Sequence, residues 1–299
     1  MQNDSLKSYL TLHFIVFIWG FTAVLGALLT IESSAIVWYR MLMASCFLGL
    51  YILYKKKSFK VGLNFFMKLV FVGLLIALHW ILFFKAIQVS NVSITLSIFS
   101  LGAFLASLME PLFYGRKIIA YEVFFGLITI LGLGLIMQVE VHYLEGMMYA
   151  FISILIGVLF TIFNGKLIQK HDATVITFYE FLSGVFFISI YYISQQRFTA
   201  DFFVLSTNDW MVLLALSSVC TAYAFTAGVK VMEKLSPYTV MLTTNLEPVY
   251  GIVLAYLILG DKEKMSFGFY IGALLILVMV IMNGVYKNKR KWSKKAVRE

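Results

Sequence analysis

The sequence is short of charge. Only 13% of its 299 residues are Asp, Glu, Lys or Arg, about half the share of an ordinary soluble domain. Such a chain cannot cover a water-facing surface, which excludes a soluble globular protein. Proline is scarce, at three residues, so most helices are expected to run without interruption. The two cysteines, Cys46 and Cys220, lie inside apolar runs and define neither a disulfide framework nor a metal-ligand spacing. The sequence has no H-E-x-x-H, G-x-S-x-G or C-x-x-C motif, and its four histidines (13, 79, 142 and 171) are scattered. No metal or other cofactor is therefore expected, and intramembrane protease or hydrolase chemistry finds no support.

What the sequence does have is apolar length. Hydrophobic residues make up 61% of it, with 28 Phe among them. A bilayer-spanning helix needs about 20 apolar residues. Ten such runs occur, at 9–29, 35–54, 69–88, 92–113, 120–138, 147–166, 174–194, 210–230, 237–258 and 267–286. The first leads into further spans without a convincing cleavage site, so it is expected to be retained. Only the joins 55–68 and 195–209 have any length, which leaves no room for a soluble domain. The expected fold is an all-α integral membrane protein with membrane lipid as its main solvent.

The basic residues orient the chain. With the N-terminus in the cytoplasm and sides alternating, 19 Lys and Arg fall inside, four fall outside, and Arg40 lies within the membrane. That bias predicts both termini in the cytoplasm, and the cell (inner) membrane of a bacterium as the location. The net charge of +9 thus reflects topology and not nucleic-acid binding. Seven of the basic residues lie in the tail from Lys287 to Arg298, read as a topology anchor with attraction to anionic lipid.

The chain also repeats itself. A shift of 145 residues lays Lys85 on Lys230, the span 92–113 on 237–258, and Gly115 on Gly260. Near the start of each half the shift is 140, which pairs Trp38-Tyr39-Arg40 with Phe178-Tyr179-Glu180. The expected organisation is a first repeat at 1–139, a second at 140–286 and a basic tail at 287–299. Five spans per half turn the second half upside down relative to the first. Inverted repeats are a recurring transporter architecture, with the site at the midplane where the halves meet.

Trp19-Gly20-Phe21, Arg40 early in the second span, Lys85-Ala86-Ile87 running into Ser90-Asn91, Leu246-Glu247-Pro248-Val249 and Leu257-Ile258-Leu259-Gly260-Asp261 stand in characteristic order. In these features the chain resembles the EamA family of the drug/metabolite transporter superfamily. Asp261 stands where that family usually has glutamate. The resemblance implies ten helices, five plus five in inverted repeat, around a central cavity. It implies export or exchange of metabolites such as amino acids.

Charged groups within the bilayer cost about 2.5–3.5 kcal/mol on insertion scales, so they face partners or water. Glu247, beside Thr243, Thr244 and Asn245, is expected on a proline-kinked helix lining the cavity, binding a cationic group or a proton. The competing reading makes it structural. Arg40 and Glu180 are expected as a buried pair across the halves, with snorkelling of Arg40 to the interface as the alternative. His79 and Glu247 are the candidates for proton coupling; a lone histidine is otherwise a packing residue. Trp19, Tyr39, Asn164, Tyr179 and Tyr223 are candidate cavity walls, and a cavity of aromatics with few polar groups suits a small organic solute. Gly268 and Gly272 predict a close helix contact, and Glu110 is expected at the interface beside Arg116 and Lys117.

These observations favour a permease for a small, neutral or zwitterionic solute. A channel would want a ring of selective groups, and a membrane-embedded enzyme would want a motif that the sequence lacks.

Overall fold

A computed structural model describes residues 2–296 of the chain, and side chains from Leu6 to Lys287. The tail side chains beyond Lys287, and with them the anchor reading, lie outside the described residues. Thirteen α-helices build ten membrane spans. They are α1 (Gln2–Leu28), α2 (Ser33–Tyr54), α3 (Leu63–Val89), α4 (Val92–Phe99), α5 (Gly102–Tyr114), α6 (Ala120–Val139), α7 (Leu144–Leu167), α8 (Ala173–Ser194), α9 (Thr207–Ala215), α10 (Ala224–Val231), α11 (Pro237–Thr244), α12 (Glu247–Leu259) and α13 (Phe267–Ala296). Among the described residues, all ten expected spans are present. The protein is a multi-pass membrane protein. With an even number of crossings, both ends of the chain lie on one side, called here the terminal side.

Seven spans are single helices, but the fourth, eighth and ninth are interrupted. Proline plays no part in the fourth-span break, but in the ninth Pro248 has no amide to offer the carbonyl of Thr244, where α11 ends, as the expected proline kink requires. The fourth parts at Ser100 and Leu101, between α4 and α5, and the ninth at Asn245 and Leu246, between α11 and α12. Serine and threonine hydroxyls crowd both sites and bond back to their own helices, as Ser97 Oγ does to the Ser93 carbonyl (2.8 Å) and Thr244 Oγ1 to the Val240 carbonyl (3.0 Å). Such back-bonds bend helices. The two breaks touch: Asn245 Nδ2 donates to the Ser100 carbonyl at 2.7 Å, across 145 residues of sequence. That separation is the repeat offset, so the pseudo-symmetry axis passes where the broken helices cross.

The starts of these helices follow the same symmetry. Asn91 and Ser236, also repeat mates, cap α4 and α11 by accepting the Ile94 and Thr239 amides. Each start is then held by a carboxylate from the far end of the other broken span. Glu263, just beyond α12, accepts the amides of Val92 and Ser93 at 2.9 Å each. Glu110, late in α5, accepts the amide of Tyr238. A carboxylate suits the positive end of a helix dipole, and the reciprocity requires the two spans to run antiparallel. Gly115 and Gly260 end the two spans with the same positive φ of 64°, a left-handed position that glycine takes without steric cost.

A second antiparallel pair, α2 and α8, is latched at both ends by matching contacts. On the terminal side Lys57 pairs with Asp172 at 2.7 Å, and on the opposite side Arg197 pairs with Glu32 at 2.8 Å. Tyr179 Oη donates to the Phe59 carbonyl (2.8 Å), and its mate Tyr39 donates to the Phe202 carbonyl (2.9 Å). Each tyrosine therefore ties down the loop that follows the other repeat's helix. Exposed ion pairs contribute little, about 0.2–1 kcal/mol each. Burial works against ionisation of Asp172, but the Lys57 ammonium and two bonds from Thr174 outweigh it and hold the carboxyl below its ordinary value. A group depressed in this way stabilises the fold at neutral pH and loses its effect only as pH falls through the depressed value. Tyr39→Phe and Tyr179→Phe should each lower stability by about 0.5–1.5 kcal/mol, the worth of one hydrogen bond. Thermal unfolding in detergent reads this, and unchanged midpoints would show that the tyrosines latch nothing.

Helix α13 packs on α6 through small residues. A Cβ on Gly272 would meet the Gly132 carbonyl oxygen at 2.8 Å and Ile136 at 2.7 Å, so the Gly268–Gly272 pair is the close contact its spacing predicts.

Candidate functional site

A cavity of about 100 Å³ lies between the two halves, walled by Trp19, Trp80, Phe83, Phe99, Phe160 and Phe225. Its polar lining is short: Thr22, Arg40, His79, Thr161, Thr244 and Glu247. Residues of both repeats contribute, as a site at the meeting of inverted halves requires. Glu247 is the first residue of α12, directly after the break at Asn245 and Leu246, so the interrupted helix delivers the carboxylate.

Arg40 is held from three directions. Its side chain is buried in protein, with 1% of the residue exposed. The guanidinium lies 3.8 Å from the centre of the Trp80 ring, with Phe84 at 5.7 Å. Its Nε donates to Thr221 Oγ1. A desolvated cation over an aromatic face is stabilised by about 2 kcal/mol or more. Neither Glu180 nor Glu247 comes within ion-pair distance of Arg40 among the described residues, and Nη1 has no hydrogen-bond partner in the protein.

Thr221 owes its position to an unusual backbone. Residues Leu216–Tyr223 form a π-helical stretch between α9 and α10, and Thr221 Oγ1 in turn donates to the Leu216 carbonyl at 2.7 Å. π-turns are rare and concentrate at functional sites. The mate of this stretch in the first repeat lies in unbroken α3. The wide turn is thus a local departure from symmetry, placed where the second repeat meets Arg40. Periodicity reasoning misses it, because a π-turn has no clear sequence signature.

Several expected wall residues sit elsewhere. Arg40 and Glu180 are not a pair, and Arg40 does not snorkel. Glu180 is fully buried and meets Asn164 Nδ2 at 3.4 Å, forming a separate polar contact between α8 and α7. Tyr39 and Tyr179 serve the latches described above. Tyr223 is 51% exposed, because each residue added per π-turn rotates the following side chains away from an α-helical register. Asn245 is spent on Ser100 at the helix crossing. Glu110 is buried in protein near the end of α5, bonded to Arg116 at 2.9 Å, the neighbour its sequence position suggests, and also to the start of α11.

His79 does line the cavity. Its Nδ1 lies 2.7 Å from the Ser153 carbonyl, which fixes the proton on that nitrogen. Ser153 Oγ returns a bond to the His79 carbonyl at 2.7 Å, so the ring is locked between α3 and α7. Trp19, Arg40, His79 and Glu247 are the four expected residues that the fold brings together.

A family model described as the EamA-like transporter family matches residues 6–138 and again 144–285. The chain belongs to the EamA-like transporter family. The double match falls on the two halves related by the capping and latching contacts, so this EamA-like chain carries the family unit twice. A solved crystal structure aligns with 97% of the chain and 99% of its own length, at a TM-score of 0.70 and 13% identity; this likeness shows the fold. No curated protein matches the sequence.

Proposed function

We propose that this EamA-like protein is a secondary transporter that exports or exchanges a small zwitterionic metabolite of the amino-acid type across the bacterial inner membrane. Both termini face the cytoplasm on this reading, in keeping with the lysine bias of the loops. Arg40 and Glu247 carry the proposal: opposite charges in one aromatic cavity, unpaired with each other. A guest carboxylate would satisfy the Arg40 Nη1 donor, and a guest ammonium would meet Glu247. Charge-assisted bonds of this kind are the strong ones. The halves, similar in fold and inverted, exchange conformations so that the cavity opens to each side in turn.

Comparing metabolites released by a deletion strain and an overexpressing strain identifies the solute. Reconstituted protein should then show saturable uptake that is accelerated by unlabelled solute on the far side. Flux that never saturates, without counter-stimulation, would make the protein a pore. Absence of flux for every enriched zwitterion would refute the substrate class.

A further inference from the structure

On the terminal side a second, larger cleft of about 960 Å³ opens between the start of α3, the end of α5 and the end of α7. Three lysines rim it: Lys68, Lys166 and Lys170. Lys166 is anchored, donating to the Phe113 carbonyl at 2.6 Å with its ammonium 5.2 Å from the Tyr114 ring. Lys68 and Lys170 have no side-chain hydrogen bond or ion pair among the described residues. About one turn deeper along α3 and α7 the walls become apolar, with Phe71 and Phe163. Cations at the headgroup level over an apolar trough match one amphiphile: a phosphate above, an acyl chain below.

The inverted repeat supplies an internal comparison. The mates of Lys68, Lys166 and Lys170 are Leu213, Gly26 and Thr30, which face the other leaflet. None of them is charged, so the repeat fold itself does not call for these lysines. We propose that the cleft binds one anionic phospholipid of the leaflet on the terminal side, its phosphate between Lys68, Lys166 and Lys170 and an acyl chain along Phe71 and Phe163. Basic pockets between membrane helices are suited to such headgroups.

Native mass spectrometry of the delipidated full-length protein, titrated with phosphatidylglycerol or phosphatidylcholine, tests this. One phosphatidylglycerol should be retained in preference to phosphatidylcholine. The double variant Lys68→Gln/Lys170→Gln should weaken its retention by about 30-fold, from the surface attraction of two lysines. Lys68→Arg/Lys170→Arg should keep it, which separates lost charge from lost folding. Equal retention of the two lipids, or a double glutamine variant that binds as the wild type does, would reduce the lysines to topology anchors. Displacement by inorganic phosphate would mark a soluble-anion site and overturn the lipid assignment.

Discussion

Replacing Arg40 by lysine should slow solute counterflow in proteoliposomes by about 10- to 150-fold, the range spanned by one hydrogen bond to a charged group. The substitution keeps the positive charge but removes the geometry. The Arg40 guanidinium sits 3.8 Å over the Trp80 ring while its Nε reaches Thr221, and only a guanidinium can cover the ring and donate sideways while still presenting Nη1. An ammonium is a strongly hydrated point charge that cannot divide its donors in this way. Retained elution and unfolding midpoint would show that the loss lies in transport and not in folding. A rate within about twofold of wild type would mean that charge alone suffices and that the fork is incidental.

Gly73→Ala should be the most damaging single methyl addition in the protein. Its Cβ would lie 2.2 Å from the carbonyl oxygen of Glu180 and 2.8 Å from Ser183 Cβ. The first obstacle is backbone, so no rotamer change relieves it and α3 must move away from α8. Overpacking of this kind costs about 1–3 kcal/mol, and more where backbone blocks relaxation. Gly134→Ala provides the control, since nothing lies within 4 Å of its Cβ. There the gain in helix propensity should stabilise by up to about 1 kcal/mol. Unfolding midpoints in detergent should therefore move in opposite directions. A Gly73→Ala protein as stable as wild type would contradict the α3–α8 packing described here.

The spans were readable because lipid imposes one simple demand, an apolar run of sufficient length. The repeat was readable from pairs such as Gly115 with Gly260, which both end their spans with a positive φ. The offset of 140 also predicts which residues do equivalent work, as Tyr39 and Tyr179 do at opposite ends of the α2–α8 pair. Side-chain direction was less readable. Arg40 and Glu180 are sequence mates, but symmetry relates their environments and does not bring their side chains together. Arg40 instead finds Thr221, through a π-turn that no periodicity announces. For Glu110 the Arg116 contact was legible from the sequence, but its bond to the start of α11, distant in sequence, was not. Both misses are tertiary contacts between the repeats, and a pattern read within one span cannot supply them.

Thr244 borders the cavity, and its hydroxyl bonds only within its own helix, so a cysteine there is a mild probe. Thr244→Cys in a Cys46→Ser/Cys220→Ser background can be labelled with a membrane-impermeant thiol reagent, in intact cells and in inverted vesicles. A cavity that opens to each side in turn predicts labelling in both preparations. Labelling from one face alone, or from neither, would contradict it.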